Sequence, residues 1–347
     1  MAHIWVRAEE RAMEQRVGLA PEGVKALLAA GHEVSVEQSP SRAIPIENYA
    51  KAGAKIVPAF SWMDAPDDVI VLGLKELNED GPDLRHRHIM FGHAYKGQPD
   101  GPALLARFKR GGGTLYDLES LIDESGRRVA AFGYWAGFAG AAVGVMAWCA
   151  QQSGTPLGAV GTYVGKQALL AELRVMLKDA SFNTIVIGAN GRVGSGAVDL
   201  CSALGLPVTE WDIAETAHGG PFPEVLEHEM FINCILAGPG VPVFVPKDTV
   251  DRPRKLTVIA DVSCDPGSDY NPVPIYESSS TFENPLVQLT GASFPLDVMA
   301  IDNLPSMLPV ESSQDYAEQL LPSLVRLDAI NTGVWARSKA VFDAHVS

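Results

Sequence analysis

Thr184-Ile185-Val186-Ile187-Gly188-Ala189-Asn190-Gly191-Arg192-Val193-Gly194 reads as a buried strand, a glycine turn and the start of a helix. Glycines that let the backbone approach closely, followed by the free amides of a helix N-terminus, bind a pyrophosphate. The spacing over Gly188, Gly191 and Gly194 is G-x-x-G-x-x-G, a departure from the usual G-x-G-x-x-G, and alone it is a weak signal. Its context strengthens it. The next strand, 208–211, ends at Asp212, about twenty residues past the turn, where an acid binds the adenosine ribose. An aspartate there repels a 2′-phosphate and favours NAD over NADP, whereas Arg192 in the turn offers a phosphate a partner. The plain alternative is a tight strand-to-helix turn followed by a surface aspartate.

Strands and helices alternate on both sides of this motif. Strand-like runs lie at 4–7, 33–37, 55–58, 69–74, 89–91 and 114–118, with helices at 21–30 and 101–109. After an apolar helix come helices at 168–178 and 195–204 and strands at 184–188, 208–213, 230–235, 256–262 and 298–301. Two further helices are expected at 314–325 and 333–344. This pattern predicts an α/β protein of two Rossmann-like domains, each with a mostly parallel sheet, and an active-site cleft between them. Residues 1–133 with 312–347 form a substrate or catalytic domain, and residues 134–311 the NAD-binding domain.

At 347 residues, with 47% hydrophobic and 20% charged, the chain is long enough for two cores. A formal charge of −15 argues against nonspecific nucleic-acid binding, so any anionic ligand must meet a local basic pocket. Cys149, Cys201, Cys234 and Cys264 form no C-x-x-C pair, which fits a reducing cytoplasm, and the N-terminus shows no signal peptide. Residues 129–165 carry no charge, and Gly137, Gly140 and Gly144 are spaced as in closely packed membrane helices. The Gly/Ala-rich composition favours a buried helix packed between domains over a membrane span.

Lys75 follows the apolar run 69–74, and His93 follows the run 89–91. Both thus emerge where a parallel sheet presents its functional edge. Partial desolvation suits the lysine to act as a base, and a histidine titrates near neutrality without help. The competing readings are a solvated Lys-Glu pair and a basic loop, since Arg85-His86-Arg87-His88 precedes His93. A metal site on His86, His88 and His93 is a third, disfavoured because neutral imidazole ligands sit poorly beside Arg85 and Arg87.

The chain resembles the NAD-dependent, lysine-forming saccharopine dehydrogenases, related to the alanine dehydrogenase and transhydrogenase fold. The resemblance spans nearly the whole chain. It rests on Arg16 before Leu19-Ala20-Pro21, Gly73-Leu74-Lys75-Glu76, His93-Ala94-Tyr95-Lys96 and Thr114-Leu115-Tyr116-Asp117-Leu118-Glu119. It continues through Gly126-Arg127-Arg128-Val129-Ala130-Ala131-Phe132-Gly133, Gly219-Gly220-Pro221-Phe222, Phe231-Ile232-Asn233-Cys234 and Ile301-Asp302-Asn303-Leu304-Pro305-Ser306. It implies oxidative cleavage of saccharopine with NAD and water to lysine and 2-oxoglutarate, or the reverse. Lys75 is then the base that takes the amine proton, and His93 the acid/base group of imine hydrolysis.

By the same resemblance Arg16, Lys96, Gln98, Arg128 and Phe132 bind substrate, together with Ser263, Cys264 and Asp265. Each cation has a surface ion pair as its plain alternative, which for Arg16 in an acidic, helix-like segment with Glu9, Glu10 and Glu14 would otherwise be favoured. Glu76 and Glu119 tune Lys75 and His93. Arg127, Gly188, Gly191, Arg192, Gly194, Asp212, Thr216, Leu236, Val262, Ile301, Asp302, Asn303 and Leu304 contact the cofactor, with a turn or helix cap as the plain alternative for Asp302. A cysteine that pairs with Cys234 in some members is replaced here by Val193. The resemblance also suggests a monomer that closes its domains on substrate. Alternatives are another amino-acid or opine dehydrogenase and a non-catalytic NAD-binding regulator, although a pure binder needs neither Lys75 nor His93.

Overall fold

The computed structural model describes residues 1–11, 14–78, 80–289 and 294–346. The chain divides into two compact units, Met1–Ala131 with Pro309–Ser347, and Phe132–Leu308. The first carries β1 (His3–Val6), β2 (Glu33–Glu37), β3 (Lys55–Val57), β4 (Ile70–Leu72), β5 (Arg87–Met90) and β6 (Thr114–Asp117). All pair in parallel, in the order β3-β2-β1-β4-β5-β6. The direction of winding reverses between β1 and β4, and at such a switch point the loops leaving the two strands diverge and open a crevice. Every residue of β4 is buried, as expected of a central parallel strand covered on both faces. The closing helices, Pro309–Leu324 and Gly333–Val346, belong to this unit. The first starts five residues earlier than its apolar spacing suggests, because Pro309 fits the first turn.

The run 85–88 is not a basic loop. It leads into β5, which begins at Arg87, and along it burial alternates: Arg85 is exposed and Arg87 half-buried, while His86 and His88 are 1% and 0% exposed. His88 stands edge-on to Trp62 and Phe108, with ring centroids 5.1 and 5.4 Å apart. Among the described residues neither of its ring nitrogens has a hydrogen-bond partner. Burial, with Arg7, His86 and Arg107 adding to it, holds its pKa well below the usual 6.5.

The second unit carries β7 (Thr184–Ile187), β8 (Val208–Trp211), β9 (Met230–Asn233), β10 (Val258–Asp261), β11 (Val287–Leu289) and β12 (Leu296–Met299). Their order is β11-β12-β10-β9-β7-β8, parallel except for β11, which runs antiparallel to β12. Its switch point lies between β7 and β9. The uncharged stretch forms the helix Gly133–Ser153 in the core of this unit. Its 18-residue apolar window is 83% buried. A side chain at Gly137 would strike the carbonyl of Val193, and one at Gly196 that of Tyr134, so this helix and Arg192–Ala203 cross backbone to backbone. The glycine spacing thus serves packing inside the unit.

His88 gives a pH-dependent prediction. Its folded pKa lies below its unfolded value, so the stability it contributes is present above pH 6.5 and is lost as pH falls toward the folded pKa. His88→Leu should stabilise the protein at pH 7 by removing unpaired buried polar atoms. It should also remove a slope of about 1.4 kcal/mol per pH unit below about pH 6, seen in urea midpoints between pH 7 and 5.

Candidate active site

The loops that leave β1 and β4 are locked together. Glu9, buried beyond β1, accepts the Leu74 amide at 2.7 Å and the Lys75 amide at 2.9 Å, one on each carboxylate oxygen. The fully buried Arg7 donates to the Lys75 carbonyl and, at 3.0 Å, to the Ala8 carbonyl, and its guanidinium lies 3.5 Å from Glu9. Lys75 is therefore fixed at both its N–H and its C=O, with a half-buried side chain at the sheet edge.

His93, beyond β5, has a left-handed backbone with φ of 47°. Its ring stacks on Phe91 at 6.0 Å, and Nδ1 lies 3.1 Å from Glu76 Oε2. The other Glu76 oxygen meets the Arg11 guanidinium. A carboxylate partner makes Nδ1 the proton-bearing nitrogen and leaves Nε2 as the acceptor in the neutral ring. Burial lowers the His93 pKa, as does the Lys75 charge, against the opposing charges of Asp117 and Glu119; Arg11 lowers it further. Neutral imidazole is thus the prevailing form near neutrality.

Glu119 accepts from Lys96 Nζ at 2.7 Å. Burial would raise its pKa, but Lys96, His93 and Arg128 outweigh that and hold it below the usual range. Asp117, which no motif singled out as a functional group, is 1% exposed at the end of β6 and accepts the Glu119 amide at 2.8 Å and the Gly92 amide at 3.3 Å. Burial pushes its pKa up to about 6.

The acidic segment with Glu9, Glu10 and Glu14 is not helical among its described residues, because its carboxylates serve tertiary contacts. Arg16 is buried and held bidentately by Glu14 at 2.8 and 2.7 Å, so its ion pair is interior and not on the surface. Gln98 accepts the Lys96 amide at 2.9 Å. Arg127 and Arg128 are exposed, and the Arg127 amide donates to Asp123 at 3.0 Å. Phe132 opens the second unit as the N-cap of its long helix. His86 and His88 lie in the core, whereas His93 pairs with Glu76. Among the described residues no three His, Cys, Asp or Glu side chains form a metal-ligand group.

In the second unit Gly188 turns the chain with φ of 88°. A Cβ on Gly194 would lie 2.6 Å from the Ala189 Cα, so only glycine lets the Arg192–Ala203 helix begin against the turn. Asp212 is more than a surface residue. One oxygen caps Ile213 N at 2.8 Å, the other accepts Asn190 N from the glycine turn at 2.9 Å, and Glu215 returns the cap at 2.8 Å. Thr216 donates to the Asp212 carbonyl at 2.9 Å. Gly191 and Arg192 are exposed at the helix N-terminus, and Leu236, beyond β9, is 82% exposed beside the switch point.

Val262, Ser263 and Cys264 leave β10 half-buried, and Asp265 is exposed. Asp261 beneath them accepts from Asn233 at 2.9 Å and Tyr276 at 2.7 Å, a polar cluster that no local motif signals. Burial pushes the Cys264 thiol up to about 12. The four cysteines are unbridged. Ile301 and Leu304 are buried and Asp302 is exposed, while Asn303 takes the cap position of the following turn at φ of 69°. The expected turn cap therefore falls one residue later. The open glycine turn, the helix N-terminus and the apolar Leu236 fit a dinucleotide.

The alanine dehydrogenase/PNT N-terminal domain family matches residues 5–139. The chain is 45% identical to the saccharopine dehydrogenase [NAD(+), L-lysine-forming] of Neurospora crassa, covering 99% of this chain and 96% of that protein. It is 43% identical to the Candida albicans protein of the same name, over 99% and 96%. Among solved structures, an L-alanine dehydrogenase superposes with a TM-score of 0.67 at 20% identity, covering 98% of this chain and 93% of the other. A transhydrogenase from Sinorhizobium meliloti does so at 0.65 and 18%, covering 96% and 97%. These two show the α/β fold.

The Lys75 clamp sets the prediction here. Glu9→Gln leaves the buried Arg7 without its charge partner and turns an amide NH2 toward a backbone N–H. It should cost about 3 kcal/mol or more in urea unfolding.

Proposed function

The chain belongs to the NAD(+)-dependent, L-lysine-forming saccharopine dehydrogenase family, and we propose that it converts saccharopine, NAD and water reversibly to lysine, 2-oxoglutarate and NADH. The observation that carries this reading is the fixed Lys75 beside a His93 whose Nδ1 is held by Glu76. The glycine turn of the second unit would hold NAD, which would supply the hydride acceptor.

Hydride leaves more readily from a neutral amine, so Lys75 removes the proton from the secondary amine of saccharopine. Water then adds to the imine carbon while His93 Nε2 takes a proton from it. The imidazolium returns that proton to the leaving nitrogen, and the ring, neutral again, takes the carbinolamine hydroxyl proton as the C–N bond breaks to give lysine and the keto acid. Two groups of different basicity suit these two tasks, and Glu76 keeps the ring in the tautomer the second requires.

Saccharopine brings three carboxylates, which we assign to Arg16, Lys96 and Arg128, with Gln98, Phe132, Ser263, Cys264 and Asp265 completing the substrate contacts. Lys96 is the cation placed to change partners, since its side chain is 67% exposed in its pair with Glu119. Gly188, Gly191, Arg192, Gly194, Asp212, Thr216, Leu236, Val262, Ile301, Asp302, Asn303 and Leu304, with Arg127, are assigned to NAD. The reading includes a cytoplasmic monomer.

NADH formation with saccharopine should exceed that with alanine, lysine or glutamate, and should be weak with NADP. Turnover confined to another amino acid would discard the substrate. Lys75→Met should lower kcat by about 10²- to 10⁴-fold and leave NAD dissociation within about twofold. A matching loss of NAD affinity would remove Lys75 from the base role. Asp212→Ala should relax the NAD over NADP preference and lower stability by about 1 kcal/mol through the lost cap. Unchanged discrimination would take Asp212 out of the ribose site.

A further inference from the structure

We infer that Asp117 is a positioning residue for this reaction, its buried carboxylate tying the turn that carries His93 to the turn that carries Glu119. The inference rests on the reading of His93 as the acid/base group. His93 is not a glycine, yet it holds a φ of 47°, a conformation that persists only where the surroundings over-determine it. The residue before it, Gly92, donates its amide to Asp117 Oδ2 at 3.3 Å, and Glu119 donates its amide to Oδ1 at 2.8 Å. One side chain thus holds both turns.

The approach is built into the sheet. Asp117 pairs in register with Met90, the last residue of β5, so its side chain is delivered to the start of the His93 turn. A Cβ on Gly92 would lie 3.1 Å from Asp117 Oδ2 and 2.6 Å from Leu115 Cδ2, so the carboxylate reaches the amide only because residue 92 is glycine. Behind it the Asp117 carbonyl accepts the Ser120 amide at 3.1 Å and hydroxyl at 3.0 Å, which fixes the strand end itself.

The charge also bears on His93. Asp117 raises the His93 pKa, as does Glu119, against burial, Lys75 and Arg11, while Glu76 bonds Nδ1. Facing Asp117 in turn are Glu119 and His93, and its charge also reaches the half-buried Tyr95 and the buried Tyr316, whose pKa values are raised. Asp117 therefore both shapes the turn and keeps His93 from becoming too weak a base.

Asp117→Asn is close in shape, offers one acceptor oxygen to two amides and carries no charge. With saccharopine it should lower kcat by about tenfold or more, because a mispositioned acid/base group loses most of its contribution, with NAD dissociation within about twofold. The acid limb of the kcat/KM profile should move to lower pH by about half a unit or more, since His93 loses a charge that raised its pKa. A folded Asp117→Asn protein with an unmoved limb and near-normal kcat would overturn the inference. Should that variant fail to fold, Gly92→Ala made in a Leu115→Val background decides the matter: the second change relieves the 2.6 Å contact of the new Cβ with Leu115 Cδ2 and leaves its crowding of the carboxylate, 3.1 Å away, without removing the charge. That enzyme, folded, should lose kcat similarly, and wild-type kcat would overturn the inference. His93→Gln run in parallel separates the two levels. Wild-type activity there would remove the acid/base reading itself, whereas loss there beside a silent Asp117→Asn would remove only the role of Asp117.

Discussion

The grip of Arg7 and Glu9 on the Lys75 peptide is the constraint on which the first unit is built. Two buried, oppositely charged side chains from the end of β1 reach the loop after β4, and each satisfies backbone groups of that loop as well as the other's charge. A Cβ on Gly73 would occupy the place of the Arg7 guanidinium, so glycine there is the condition for the clamp. Buried ions are tolerable when paired and hydrogen-bonded; here the carboxylate and the terminal guanidinium nitrogens are spent on placing one lysine, while Arg7 Nε is left without a hydrogen-bond partner among the described residues.

The same clamp sets apart two sheets of related topology. The first has the strand order and switch point of a nucleotide-binding fold, but its crevice between β1 and β4 is filled by Arg7. The acid at the end of β2, Glu37, is 0% exposed and takes four N–H groups, from Trp5 at 2.9, Ala8 at 2.8, Phe60 at 2.9 and Trp62 at 2.6 Å. No acceptor capacity is left for a ribose hydroxyl. In the second unit the corresponding crevice keeps its glycine turn open, and Asp212 sits at the surface, bonded to that turn. Side chains at equivalent strand ends, not the topology, distinguish the two sheets.

Much of this was legible in the chain because parallel strands are short apolar runs. Every strand except β11 shows as such a run or, in β2 and β8, as a mixture of apolar and polar residues; Val287–Leu289 is a three-residue, partly exposed edge with a glutamine at its centre, and carries too little apolar pattern to read. Lys75 and His93 were visible because strand ends and residue chemistry coincide. The histidine run misleads by composition, since charge content suggests a loop while its period of two buries His86 and His88. Asp117 and Glu9 were hidden for a different reason. Their partners are amides 25 and 65 residues distant, and a carboxylate that bonds backbone leaves no complementary residue type to recognise.

Cations around the cluster stand beside carboxylates. Arg7 faces Glu9, Arg11 faces Glu76, Arg16 faces Glu14 and Lys96 faces Glu119. In a protein of formal charge −15 the long-range field repels an anionic substrate, and these cations are already matched at short range. A ligand carboxylate that engages one of them exchanges one carboxylate for another, so the gain from a single contact is small. Binding then depends on how many exchanges one molecule makes at once and on how well their geometry fits. Under the proposed substrate assignment Arg16 and Lys96 are the members of this set that a tricarboxylate would engage, so its advantage over a small amino acid would come from the number of exchanges it makes rather than from any one of them.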